Sequence, residues 1–389
     1  MNKFSSIFSQ LLQLFPRIEF QQLVKETHAE RGAKGFSCWS QFVAMLFCQL
    51  GRAHSLREIS GGLRSCKGKL KHLGLTAAPS HSTLGYANEH RPWKLYEQVF
   101  LKLLDRCRVQ VVGKKKVFRF KNKLISMDSS TLDVCLAMFD WAKFRRTKGA
   151  IKLHLLLDHD GYLPCFAVIT EGKVSDVKVA HQFRFERDTI VVDDRGYNDY
   201  ALFGRWTEEG VYFVTRMKDN AVYESVGDKR PPQNRNILND EIIELRGAKA
   251  LEKCPHPLRR IEVYDPEQDK ILVFLTNHMS LGATTIAAIY KDRWQIETFF
   301  KALKQNLKIK TFVGTSANAV RIQIWTALIA MLILRFLQLR AQFSWSLSNL
   351  TALLRMNLFT HRDLWAWLNK PFEIPPVPYE PEQLQFCFQ

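Results

Sequence analysis

The sequence lacks several features, and each absence narrows its reading. Its 8 cysteines (Cys38, Cys48, Cys66, Cys107, Cys135, Cys165, Cys254 and Cys387) are spread singly, with no C-x-x-C pair. A disulfide scaffold is excluded and a structural zinc site has little support, so buried free thiols of a reducing compartment are expected. The opening Met1-Asn2-Lys3-Phe4-Ser5 lacks the basic-then-apolar order of a secretory leader. No apolar run reaches the ~20 residues that cross a bilayer. The most apolar segment, Ile322 to Leu334, is bracketed by Arg321 and Arg335 and predicts a buried core helix. Internal repeats and low-complexity stretches are absent as well. Acidic residues are in short supply: 38 against 56 Lys plus Arg, a formal charge of +18 over 389 residues. Such an excess in a folded chain answers a polyanion, nucleic acid ahead of an anionic membrane, and no basic amphipathic helix supports the membrane. Hydrophobic residues at 46% and 27 Phe suffice for a globular core.

The patterning predicts an α/β protein with an all-α N-terminal domain. Residues 1–112 carry apolar residues at helical spacing, as in Phe42, Val43, Leu46, Phe47 and Leu50, with Gly51 as a stop and Ser55, with Glu58 three residues on, as a start. Ser80 or Ser82 caps a further helix toward Asn88. Two such helices flanked by Arg57, Arg64, Lys67, Lys69 and Lys71 are compatible with a helix-turn-helix DNA reader, as with many helical domains. From 113 to about 340 strands alternate with helices: Leu124–Met127 ending in Asp128, a hairpin of 151–157 and 163–169 around Asp158-His159-Asp160-Gly161, a helix over 177–183, and Thr189–Val192 ending in Asp193-Asp194. A helix over 200–209 and a strand over 211–215 come next. Residues 217–280 read as a β-rich insertion, 284–308 as one long helix and 322–338 as an apolar one. The remainder, 341–389, holds helices and a tail with Pro375, Pro376, Pro378 and Pro381.

Carboxylates at the ends of neighbouring strands converge at the sheet edge, where ligands of open α/β sheets bind. Asp128 and Asp194 fit that position, and Glu297 lies on the late helix. Two or three such groups make a hard-oxygen site for Mg²⁺ or Mn²⁺, and a pair of ions there activates a hydroxyl against a phosphodiester. At 100° per residue, Tyr290, Arg293, Glu297, Lys301 and Lys304 share an arc of about 80°. One acid among cations suits a metal beside a phosphate backbone, and it equally suits a solvated face laced with salt bridges.

Tyr290, Arg293, Glu297 and Lys304 spell Y-(2)-R-(3)-E-(6)-K without a gap. This resembles the signature of the DDE transposases of insertion sequence family four. Asp194-Arg195-Gly196-Tyr197 resembles that family's D-x-G-[YF] motif, and Met127-Asp128-Ser129-Ser130 its first acid. The three occur in order over about 120–340, with a β-rich insertion between the second and third. The resemblance implies an RNase H-like catalytic core preceded by a DNA-binding domain. It implies two Mg²⁺ ions (Mn²⁺ substituting) on Asp128, Asp194 and Glu297, and phosphate contacts from Tyr290, Arg293 and Lys304. It further implies cut-and-paste movement of double-stranded DNA between terminal inverted repeats and target, a homodimer, a hairpin at the cleaved end in relatives, and a place in the bacterial cytosol with the nucleoid. Arg293-Trp294 is common in the family, and no role is assigned to Trp294.

Other residues are weighed against these. Asp193 becomes the ligand if the strand slips by one, since adjacent residues face opposite ways. Asp133 caps or solvates a loop, Asp158-His159-Asp160 is a turn, and His154 and His181 are structural. Lys143, Arg145, Arg146, Lys148 and Lys152, interleaved with Trp141 and Phe144, form a basic stretch expected on the DNA backbone, to which Lys301 also contributes. Two further readings stand beside the transposase: an RNase H-like nuclease that does not join strands, and a non-catalytic DNA-binding protein on the same fold. Three intact acids argue against the last, because like charges that close repel one another.

Overall fold

A computed structural model describes residues 5–66, 68–114, 116–135, 137–139, 141–145, 148–229 and 236–373, with the side chains of 143–145 and 148 left out. Arg146, Cys387, Pro231-Pro232 and the prolines from Pro375 onward lie outside the described residues. The chain opens with six helices: α1 (Ile7–Leu12), α2 (Arg17–Glu26), α3 (Cys38–Leu50), α4 (Leu56–Ser65), α5 (His81–His90) and α6 (Lys94–Val111). Their starts follow the expected chemistry. Ser55 accepts the Glu58 amide at 3.1 Å and Ser80 the Thr83 amide at 3.1 Å, each satisfying a donor that the first turn leaves orphaned. The helix-turn-helix expectation is corrected, since α4 and α5 are separated by residues 66–80, including a 3₁₀ turn at Leu70–Leu73. A DNA-reading helix-turn-helix has a turn of roughly 3–4 residues.

The sheet begins with β1 (Leu124–Val134), β2 (Lys143–Arg145), β3 (Lys148–Asp158) and β4 (Leu163–Glu171), followed by α7 (Asp176–Ala180), β5 (Ile190–Val192), α8 (Tyr200–Glu208) and β6 (Tyr212–Arg216). β4, β3 and β1 form an antiparallel meander, to which β5 and then β6 add in parallel. This order and these directions are those of an RNase H-like core. The insertion supplies β7 (Tyr223–Asp228), β8 (Ile237–Leu245), α9 (Ala248–Lys253), β9 (Leu258–Asp265) and β10 (Lys270–Thr276). β10 pairs antiparallel with β6, so the insertion prolongs the central sheet to ten strands. β1 runs on well past Asp128, contrary to a strand ending there, because β3 pairs with it as far as Val134↔Gly149.

The long helix expected over 284–308 is two: α10 (Ala283–Asp292) and α11 (Trp294–Asn306), meeting at Arg293. The Arg293 amide is shared between the carbonyls of Ile289 and Tyr290 at 3.2 Å each, and the Ile296 amide bonds the Arg293 carbonyl at 3.1 Å. This tightened turn breaks the 3.6-residue count on which a single face over 290–304 depended. Then come α12 (Ala317–Arg340), α13 (Leu347–Asn357) and α14 (Leu364–Asn369). α12 is long and apolar enough to cross a membrane, yet 83% of its apolar window is buried inside the protein. It packs against α3, α5, α6 and β4. Phe42, Phe100, Leu155, Phe299, Trp325 and Leu332 belong to one continuous core, so the opening helices and the closing ones bury each other's apolar faces. At about 1.5–3 kcal/mol for each large side chain buried, this shared core is what holds α11 against the sheet. Cys38, Cys48, Cys107 and Cys254 are buried and free, and burial pushes the first three thiols up to about 12.

Candidate active site

The register explains why two acids meet. β1 and β5 run parallel, and their last paired row is Ser126↔Val192. Asp128 and Asp194 each lie two residues beyond it, so alternation sends both side chains to the face of that row. Asp193, one residue earlier, points the other way. It is fully buried, and neither of its carboxylate oxygens has a hydrogen-bond partner. Burial raises its pKa well above the usual carboxylate range.

Asp194 caps the short 3₁₀ turn Arg195–Tyr197, accepting the Gly196 amide at 2.8 Å. A Cβ on Gly196 would stand 2.9 Å from Asp194 Oδ1, so any other residue here would push the carboxylate off its amide. Tyr197 is buried beneath, its hydroxyl without a partner, and burial together with Asp128 and Asp176 drives its pKa far up. Asp128 accepts the Ser129 amide at 2.7 Å, and the Ser129 hydroxyl donates to Asp176 at 2.7 Å. Asp176 is in turn 3.1 Å from Lys152 Nζ. Lys152 is therefore committed inside the protein and leaves the basic stretch. His154 bonds Thr170 at 3.0 Å, and burial lowers it to about 4, as suits a structural histidine.

Glu297 comes from the first turn of α11. Arg293 Nη2 donates to it at 2.6 Å, while Arg293 Nη1 lies 4.0 Å from Asp128 Oδ2. The arginine thus stands between the first and third acids. Asp128 is pushed up to about 7, chiefly by burial; the Ser129 amide and Arg293 oppose this, and the charges of Asp194 and Glu297 add to it. Asp128, Asp194 and Glu297 line one open cleft of about 560 Å³, walled by Lys301, Lys304 and Lys310. Lys310 was not foreseen, because it lies past the end of α11. Lys304 Nζ donates to the Thr131 carbonyl at 3.0 Å, and burial lowers its pKa.

The hard carboxylate oxygens of Asp128, Asp194 and Glu297 fit divalent ions by donor chemistry. Among the described residues, however, no three His, Cys, Asp or Glu side chains stand close enough to share an ion without rearrangement.

The expected common face of five groups is not what the fold makes. Glu297, Lys301 and Lys304 turn to the acid cleft, whereas Tyr290 packs in a tilted pair with Phe274, ring centres 4.8 Å apart, and lines a second groove of about 980 Å³ with Arg216, Arg293 and the exposed Trp294. The kink at Arg293 separates the two sets. The basic stretch begins at β2, whose Lys143 pairs with Gly149, which in turn pairs with Val134. Its backbone lies six residues along β1 from Asp128, roughly 20 Å away at ~3.3 Å per residue.

A family model described as the transposase DDE domain matches residues 119–333, and one described as a domain of unknown function (DUF4372) matches residues 3–76. The chain is 30% identical over 319 residues to the "Putative transposase y4zB" of Sinorhizobium fredii, covering 80% of this chain and 87% of that one. It is 28% identical to the "Probable transposase for insertion sequence element IS5377" of Geobacillus stearothermophilus, over 69% and 70% of the two chains. The "Putative transposase for insertion sequence element IS4SA" of Synechocystis is 25% identical over 61% and 67%. With more than half of its length under the DDE domain, and with such relatives, the chain belongs to the DDE transposases, alongside insertion sequence family four.

Proposed function

We propose that Asp128, Asp194 and Glu297 are the catalytic acids of this transposase and together hold two Mg²⁺ ions, with Mn²⁺ as a substitute. When bound, such ions activate the attacking hydroxyl and offset charge on the leaving oxygen of a phosphodiester. The observation that carries this reading is the single cleft in which all three carboxylates face a wall of lysines. Lys301, Lys304 and Lys310 take the phosphates nearest the cut, with Lys304 exchanging the Thr131 carbonyl for a phosphate oxygen. Arg293 gives up Glu297 to do the same, and Tyr290 supports it from below, its ring 5.3 Å from the guanidinium. Lys143, Arg145, Arg146 and Lys148 follow the duplex farther out.

Residues 1–112 recognise the terminal inverted repeats, and the working assembly is a homodimer that cuts the element, passes through a hairpinned end and joins it to target DNA in the bacterial cytosol. Incubation of the protein and Mg²⁺ with linear DNA carrying its element's ends tests this: cleaved, hairpinned and joined products are expected from the wild type and none from Asp128→Asn or Glu297→Gln. Cleavage without joined product favours the nuclease reading. Binding without cleavage favours the non-catalytic one.

A further inference from the structure

Four side chains outside the acid cleft form a chain of hydrogen bonds. Ser126 Oγ and His159 Nε2 are 2.6 Å apart, and so are His159 Nδ1 and Asp292 Oδ2. The Tyr162 hydroxyl donates to both Asp292 oxygens, at 3.2 and 3.3 Å. Ser126 is fully buried, His159 6% exposed, and the Asp292 side chain 15% exposed. The connectivity Ser–His–Asp is that of a nucleophilic triad, but a serine with no surface cannot meet a substrate. The reason for the chain lies in what it joins.

Ser126 precedes Asp128 by two residues on the same face of β1. Asp292 ends α10, immediately before Arg293 and five residues before Glu297. His159 is itself pinned to the start of β1, its amide donating to the Leu124 carbonyl at 3.0 Å. Asp292 sits where a carboxylate is disfavoured, at the negative end of a helix dipole and nearly buried. Tyr162 adopts φ +52°, a left-handed conformation that costs a non-glycine residue roughly 1–2 kcal/mol. Two unfavourable local choices persist because each supplies a bond to this chain.

We propose that His159 is a positioning residue of the transposase centre: it ties the strand of Asp128 to the kink between α10 and α11 and so sets how far Asp128 stands from Glu297. The proposal rests on the reading that those two acids are catalytic. His159 touches neither of them, so its effect passes through Ser126 and Asp292.

His159→Phe removes both bonds while filling the space, and Asp292→Asn retains an acceptor for the imidazole. In single-turnover cleavage of end DNA, His159→Phe should lower the rate 10–100-fold, the usual loss when a support behind a metal ligand is removed. Its affinity for end DNA should stay within about twofold, and the Mg²⁺ concentration for half-maximal rate should rise about tenfold. Terbium luminescence titrated without DNA should report the same weakening of ion binding. Asp292→Asn should recover most of both readouts, while Asp292→Ala should not. A purely structural role would lower the melting temperature and leave the metal dependence in place. Unchanged metal dependence in His159→Phe, or in Asp292→Ala should the former fail to fold, overturns the proposal. If Asp128→Asn and Glu297→Gln still cleave, the catalytic assignment itself falls. If they are inactive while His159→Phe and Asp292→Ala behave as wild type, only the positioning role falls.

Discussion

Two arginines of this chain, Arg259 buried and Arg293 half-buried, meet carboxylates in different ways. Arg259 makes a two-pronged bond to Asp240, 2.7 Å on each side, and donates its remaining Nη1 to the carbonyls of His278 and Leu281. Both side chains are almost sealed, at 4% and 3% exposure. Arg293 makes a single bond to Glu297, stands 4.0 Å from Asp128, and has a buried Nε with no partner. Arg259 is a finished tie that binds β8, β9 and the loop after β10. Arg293 is an unfinished one, with a donor to spare beside the acids. Buried polar groups left short of partners are costly, and Arg293 Nε, beside the acids, is one of those that this protein leaves.

The contrast is broken most severely by removing an acid. Asp194→Asn or Glu297→Gln should lower single-turnover cleavage by at least ~10³-fold, about 4 kcal/mol of barrier, while gel-shift affinity for end DNA stays the same. Retained cleavage in the Glu297 variant takes that residue out of the site.

The difference between the arginines is next. Arg259→Met leaves Asp240 buried and alone and should cost about 3–5 kcal/mol in chemical denaturation, whereas Arg293→Met should cost about 1 kcal/mol or less. Equal losses would erase the distinction between a finished tie and an unfinished one.

A titration sharpens it further. Asp128 ionises near 4 in an unfolded chain and at about 7 in the folded one, mainly through burial. The folded state therefore holds the extra proton across that window, and stability falls as pH rises through it. Asp128→Asn removes this loss: in EDTA it should be the more stable protein at pH 8, by on the order of 4 kcal/mol. The advantage should vanish below pH 4 in thermal melts.

The smallest effect belongs to the lysine wall. Lys301→Ala and Lys304→Ala should each weaken end binding severalfold and flatten the slope of log affinity against log salt by about one unit. Unchanged slopes in both would remove them from the phosphate contacts.

How the site could be read in advance differs residue by residue. Asp128, Asp194 and Glu297 stood out because acids at strand ends, spaced along a recognisable pattern, reflect a chemical need written in residue type. Lys310 and Asp176 did not stand out, because nothing in their local sequence separates them from any surface lysine or helix-starting aspartate. His159 was taken for part of a turn, and it does lie in one. Its bonds to Ser126 and Asp292 span 33 and 133 residues of chain, a distance at which sequence spacing carries no geometry. Tyr290 was placed with Glu297 by counting at 100° per residue, and a single tightened turn at Arg293 undid the count.

Residue order by itself determined the helical opening, the positions of the caps, the strands around Asp128 and Asp194, and the burial of α12, since each depends on periodicity or on a hydrogen bond within a few residues. Only the folded chain decided that β1 continues past Asp128, that β10 joins the central sheet, that the opening and closing helices share one core, and that Arg293 stands between two acids. These outcomes depend on which surfaces meet, and surfaces distant in sequence are chosen by the total apolar area they remove from water, a quantity no local pattern contains.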